Sequence, residues 1–161
     1  MASPSFTLNA TMLLGATTGT IACLMAPIAG RQLLLPNVTV VDVVAPAGML
    51  PAPQGAADWH QGFVVWRDMN VPVIAFEGLN GEAIPREFQR VAILSGISGN
   101  SELPFYGVIV QGVPRAAKVK IAELEDLYSA PTGPVEFLQV RYAGELAVIP
   151  DLDVIEARIA A

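Results

Sequence analysis

Proline and glycine recur so often along this chain that no long helix can be drawn through it. Thirteen prolines and fourteen glycines lie among 161 residues. Proline removes a backbone donor and fixes φ, while glycine weakens the interior of any regular element. A helical bundle is therefore excluded, and the spacing predicts many short elements joined by turns. The stretches between the breakers are strongly apolar. Hydrophobic residues make up 53% of the chain and charged ones 15%, against about 25% charged in an average globular domain. A composition so rich in apolar residues and so poor in charge excludes disorder across the whole chain. The length suits one domain, or two small ones sharing a core.

Periodicity favours strands. Thr20–Ile28 is an apolar run bounded by Gly19 and Gly30, and Gln32–Leu35 is its return strand across Ala29-Gly30-Arg31. Val38–Val44 is expected to be a short helical turn leading into a strand. The Pro-, Ala- and Gly-rich stretch from Ala45 to Trp59 is a surface loop, long enough to suggest a functional role. Gly62–Trp66 and Val71–Phe76 form a hairpin around Arg67-Asp68-Met69-Asn70. After a polar interval at Gly78–Glu87, strands are expected at Gln89–Gly96, Pro104–Val113 and Lys118–Ile121. Glu123–Tyr128 is expected to be a short polar helix or turn. Val135–Tyr142 and Glu145–Ile149 form a hairpin around Ala143-Gly144, where glycine supplies the positive φ. Asp151 or Asp153 can cap a last helix with Leu152, Ile155 and Ile159 on one face.

Three hairpins carry an arginine at or near the turn: Arg31, Arg67 and Arg141. This weak repeat suggests two related small β-barrels, one in each half of the chain, with a shared apolar core between them. The expected fold is mainly all-β. Residues 1–19 are expected to be a flexible leader and 20–161 a single domain. No charged side chain occurs before Arg31, so the basic flank of a signal peptide is missing. Thr11–Gly30 is interrupted by threonines, glycines and Pro27, which argues against a membrane span. The single cysteine, Cys23, demands no oxidising compartment, and the chain is expected in the cytoplasm without membrane insertion.

The search for chemistry excludes more than it finds. A net charge of −6, with two lysines and seven scattered arginines, does not suit counterion displacement from nucleic acid. One histidine, His60, and one cysteine cannot supply a zinc site of the usual kind. No G-x-S-x-G elbow, G-x-G-x-x-G fingerprint or Walker pattern occurs. Glu123-Leu124-Glu125-Asp126 is a solvated charge run, and Asp151 and Asp153 are better explained by capping than by a metal. No cofactor and no catalytic group are expected. Arg67 is the positive finding: a planar guanidinium after Trp66, at a turn in a segment nearly free of charge, suits a protein interface. The alternative is an exposed turn residue paired with Asp68.

The order of these segments resembles the CheW family of chemosensory adaptors over nearly the whole chain, from about Thr20 to Ile159. Leu24–Pro36 and Val40-Val41-Asp42-Val43-Val44 are similar to the family's opening hairpin and signature, with Asp42 where most members carry Glu. The family pattern G-x-x-x-L-R-G-x-x-V/I-P-V/I-x-D/N-L is matched by Gly62–Phe76. There the arginine is kept as Arg67, the leucine is Trp66, the turn glycine is Asp68 and the acid is Ala75. Tyr106–Val113 is similar to V-G-I/L-V/I-V-D-x-V, with Gln111 in place of the acid, and Val140–Leu152 looks like the closing hairpin and helix. The Trp66-Arg67 pairing looks most like ChpC-type adaptors of type IV pilus systems.

The resemblance implies a non-enzymatic protein of two five-stranded SH3-like barrels around a common apolar core, with short helices including a C-terminal one. It implies two partners: the regulatory domain of a CheA-type histidine kinase and the cytoplasmic tip of a methyl-accepting chemoreceptor. Arg67 matches the family's receptor-binding arginine, and Val40 and Asp42 match its signature patch. Gly62 and Trp66 complete the candidate partner-binding set. Asp68 and Gln111 depart from the family pattern and bear on which partner is met. A small-ligand-binding regulatory β-barrel is the alternative. A side-chain-filled interior would remove its motive, and a deep cleft pairing His60 with a carboxylate would be needed for an enzyme.

Overall fold

Eleven strands build two antiparallel-rich sheets in the computed structural model, which describes residues 19–127 and 131–161. The expected leader therefore lies outside the described residues, apart from Gly19. In chain order the elements are β1 (Thr20–Ile28), β2 (Arg31–Pro36), a 3-10 turn (Asn37–Thr39), β3 (Val40–Val44), β4 (His60–Trp66), β5 (Met69–Ile74) and a one-turn helix α1 (Phe76–Leu79). They continue with β6 (Arg90–Ser95), β7 (Phe105–Val110), β8 (Arg115–Lys120), a second 3-10 turn (Ile121–Glu123), β9 (Glu125–Asp126), β10 (Glu136–Tyr142), β11 (Glu145–Pro150) and α2 (Leu152–Ala160).

One sheet has the order β8-β1-β2-β11-β10-β9 and the other β3-β6-β7-β5-β4. The two share a plan. Each joins two hairpins through a parallel contact, β2 with β11 and β5 with β7. The fold is the mainly-β, two-barrel arrangement expected, and the first sheet gains a sixth strand of two residues. The division of the chain is different from the expected halves. Strands β3 to β7 make the second sheet without interruption, and the first sheet is assembled from both ends of the chain around them. The exchange happens at Asn37–Thr39, where the chain turns out of β2 and into β3. Thr39 Oγ1 donates to the Pro36 carbonyl at 2.7 Å and holds that turn. The matching turn at Ile121–Glu123 leads β8 into β9. Where a short polar helix or turn was expected at Glu123–Tyr128, the turn ends at Glu123 and Glu125–Asp126 is a strand, because pairing with Val140 and Arg141 outweighs local propensity. Tyr128 is outside the described residues.

Three cores explain the apolar excess. Cys23, Met25, Leu34, Val119, Val140, Ala147 and Ile149 fill the first barrel. Val64, Trp66, Val71, Val73, Val91, Ile93 and Ile109 fill the second. A third and larger core lies in the seam between them and takes Leu33, Leu35, Ala92, Leu94, Val108, Val110 and Val148. Successive residues of a strand point to opposite faces. In β2, β6, β7 and β11 one face therefore fills a barrel and the other fills the seam, so these strands are apolar without alternation.

The C-terminal helix closes the seam. Asp151 caps it, accepting from Val154 N–H at 3.3 Å, and Leu152 and Ile155 are buried. Glu156, also buried, accepts from the backbone of Ile97 and Ser98 at 2.9 Å and from Tyr106 Oη at 3.0 Å. A buried carboxylate is tolerated when donors surround it, and here it fastens α2 to the turn after β6. Burial, then the Glu156 charge and hydrogen bond, raise the Tyr106 pKa well above 10.0.

Candidate functional site

The tip of the β4–β5 hairpin carries the candidate arginine. Trp66 pairs with Met69, which leaves Arg67 and Asp68 as a two-residue turn. Both have positive φ, 48° and 62°, the pattern of a type I′ turn that fits the twist of the flanking strands. Glycine commonly occupies such positions. Without it, each residue carries a steric cost on the order of 1 kcal/mol.

Trp66 is only 6% exposed and packs edge-to-face on Phe105, with 4.9 Å between ring centroids. Its indole Nε1–H donates to Asp42 Oδ2 at 2.9 Å. Asp42 Oδ1 accepts from Val43 N–H at 2.8 Å. Since β3 and β4 are the two outer strands of the second sheet, the Trp66–Asp42 bond ties its edges together. The Arg67 guanidinium carbon lies 4.2 Å from the centroid of the Trp66 ring. Asp42, Trp66 and Arg67 thus form one chain of contacts, the carboxylate at the indole edge and the guanidinium over the indole face, from residues the sequence separates by up to 25 positions. Arg67 is exposed and makes no ion pair among the described residues; the pairing with Asp68 does not form.

The other two candidates sit elsewhere. Val40 is half-buried and packs on the seam core. A register shift between Val40 and Asp42 against β6 displaces the intervening residue, so Val41, 38% exposed, faces solvent instead. Val65, 56% exposed, adds a second apolar side chain beside the tip. Neither Val41 nor Val65 was singled out by the sequence, because a bulge leaves no local composition signal. Gly62 is buried at a bulge in β4, with φ +117°. A Cβ there would collide with the Leu50 carbonyl, to which Phe63 N–H donates at 2.9 Å. Its role is to let the long loop lie against the hairpin, and it offers no side chain to a partner.

Arg31 follows the β1–β2 turn and has a different environment. Its guanidinium contacts Glu82, in the segment between β5 and β6, at 2.9 Å and Glu136 of β10, in its own sheet, at 3.2 Å. Asn80 donates to Glu136 at 2.6 Å and Gln139 donates to its other oxygen at 2.7 Å. Burial pushes the Glu136 pKa up, but the bonds from Asn80, Gln139 and the Gly133 backbone, with the Arg31 charge, hold it below 4.5. Beside this network Pro27, Gly30, Arg31, Gln32, Glu145 and Leu146 line an open depression of about 360 Å³.

His60 begins β4. Its Nδ1 accepts from Gly62 N–H at 3.1 Å, and its ring lies between Trp59 and Phe63. Burial lowers its pKa from 6.5, favouring the neutral ring. His60 and Glu102 line the same open depression of about 250 Å³ but share no hydrogen bond. Burial raises the Cys23 thiol to about 11, which makes it a poor nucleophile. Side chains fill both barrels, so the motive for a ligand inside a barrel is gone. Among the described residues no three His, Cys, Asp or Glu side chains are grouped to hold a metal ion. No helix among them is long and apolar enough to cross a membrane.

Residues 22–158 match the family model described as the CheW-like domain. The crystal structure of the scaffolding protein TtCheW from Thermoanaerobacter tengcongensis is similar in fold, with a TM-score of 0.66 at 16% identity. The alignment covers 81% of this chain and 83% of that one. No curated protein matches.

Proposed function

The chain belongs to the CheW-like domain family, and on that premise we propose that it is a non-enzymatic adaptor that couples chemoreceptors to a CheA-type histidine kinase. One observation carries the reading: an arginine at an exposed hairpin tip, without an ion pair among the described residues and held on an aromatic ring. A folded protein ordinarily neutralises or solvates such a group, and a guanidinium on an aromatic support is a frequent anchor at protein interfaces. Val41 and Val65 supply apolar surface around it. Arg67, Asp42 and Trp66 form the partner-binding tip, while Val40, on the seam core, and Gly62, at the far end of β4, keep the strands that carry it in place. The receptor's cytoplasmic tip is the partner of this surface, and the regulatory domain of the kinase is the second partner. The pathway is chemotaxis or pilus motility of the ChpC type, in the bacterial cytoplasm.

The experiment is co-purification with a cognate CheA-type kinase and receptor. The wild type is expected to be retained by both. Arg67→Glu is expected to lose receptor binding while folding stability stays within about 0.5 kcal/mol, as for a surface change. Absence of any kinase or receptor binding by the wild type overturns the proposal.

A further inference from the structure

The stack at the hairpin tip is ordered in a way that the role of an interface arginine alone does not require. Asp42 does not touch Arg67. It spends one oxygen on the Trp66 indole N–H and the other on the Val43 backbone. The carboxylate therefore orients the indole, and the indole in turn supports the guanidinium at 4.2 Å. Had the Asp42 carboxylate met Arg67 directly, the guanidinium fork would be occupied. With the carboxylate held at the indole edge instead, the ring covers one face of the guanidinium, and no carboxylate among the described residues occupies its coplanar N–H edge. That edge fits a planar carboxylate with two parallel hydrogen bonds. Asp68, adjacent and exposed, does not fill it.

We propose that Asp42 and Trp66 are positioning residues that hold Arg67 open for an acidic side chain on the partner protein. The proposal rests on the adaptor reading for the partner's identity, but the positioning itself is a property of this chain alone. Stacking of an exposed guanidinium on a nearly buried ring is worth enough to bias its rotamers without burying it. The turn contributes too, since positive φ at Arg67 and Asp68 fixes the direction in which the side chains leave the hairpin.

The test uses the full chain, labelled with nitrogen-15. In the wild type the Arg67 side-chain protons are expected upfield of free arginine, because they lie over the indole ring. Asp42→Ala is expected to return them towards the free value, as is Trp66→Leu. Asp42→Asn, which keeps an acceptor for the indole, is expected to preserve the shift. An unchanged Arg67 signal in Asp42→Ala overturns the positioning role. Sodium acetate, titrated against sodium chloride at equal ionic strength, is expected to move the Arg67 Nε–Hε peak; equal response to both salts overturns the carboxylate assignment. With a receptor-tip fragment as probe, Asp42→Ala is expected to weaken binding about 2- to 5-fold, the worth of one exposed cation–π contact. Asp42→Ala with Arg67→Ala is expected to be no weaker than Arg67→Ala alone, because the two act as a unit. Full additivity overturns the coupling. If the fragment fails to bind the wild type, the adaptor reading falls, while the spectra and the acetate titration still decide the positioning.

Discussion

Arg31 and Arg67 carry the same local cue, an arginine at the turn of an apolar hairpin, yet they end in opposite environments. Arg31 is 17% exposed at its side chain and bonded to two carboxylates, one 51 and one 105 residues away. Arg67 has no carboxylate partner among the described residues and lies, exposed, over the nearly buried Trp66. Arg141, the third, makes an exposed contact of 3.6 Å with Glu125. The difference lies in what the seam brings near each turn. The β1–β2 tip faces the second barrel, so its cation meets Glu82 there while it also reaches Glu136 of β10 in its own sheet. The β4–β5 tip faces away from the seam and meets only its own barrel. One arginine bridges the barrels, and the other stays exposed with no ion pair among the described residues.

This contrast can be broken by substitution. Arg31→Ala is expected to have the largest effect, about 3 kcal/mol in urea unfolding, because it leaves the nearly buried Glu136 carboxylate without its cation. An effect below that of Arg141→Ala would show that the seam network is not holding the barrels.

Acid should separate the two sites next. Glu136 has a folded pKa below its ordinary 4.5. A depressed carboxyl pKa contributes stability that is present above 4.5 and lost as pH falls through the folded value. The wild type and Arg67→Ala are expected to share that acid limb in pH-dependent unfolding, while Arg31→Ala makes it shallower and Asn80→Ala, which removes the strongest bond to the carboxylate, more so.

Asp68→Gly is expected to stabilise the chain by about 0.5–1 kcal/mol, since glycine accepts positive φ at the I′ turn without steric cost. A loss of stability would show that Asp68 makes a contribution its geometry does not reveal. Arg67→Ala should change folding by less than about 0.5 kcal/mol, and Arg141→Ala by about 0–0.5 kcal/mol, as is usual for exposed pairs. Thermal unfolding of the two side by side is the finest test of the comparison.

Much of the strand order was legible because breakers and apolar runs are local. Thr20–Ile28 was expected to the residue, the Ala143-Gly144 turn was placed correctly, and the capped helix at Asp151 formed. The short helix Phe76–Leu79 was not expected, because a single turn leaves too little periodicity to detect. Arg67 could be singled out from its sparse surroundings. The Asp42–Trp66 bond could not, since it joins residues 24 apart across opposite edges of a sheet. Val40 was grouped with the patch by its place in a motif, and a one-residue bulge turned it inward.

The sequence by itself determined that this chain is built of short strands, and that its apolar surplus must be buried on more than one side. Prolines, glycines and uninterrupted runs such as Val91-Ala92-Ile93-Leu94 act through bonds and neighbours within a few residues. Only the tertiary structure decided which runs share a barrel, that the second barrel is inserted within the first, and which of three similar arginines was left unpaired. Those outcomes depend on contacts between residues tens of positions apart, and such contacts exist only once the seam between the barrels has closed.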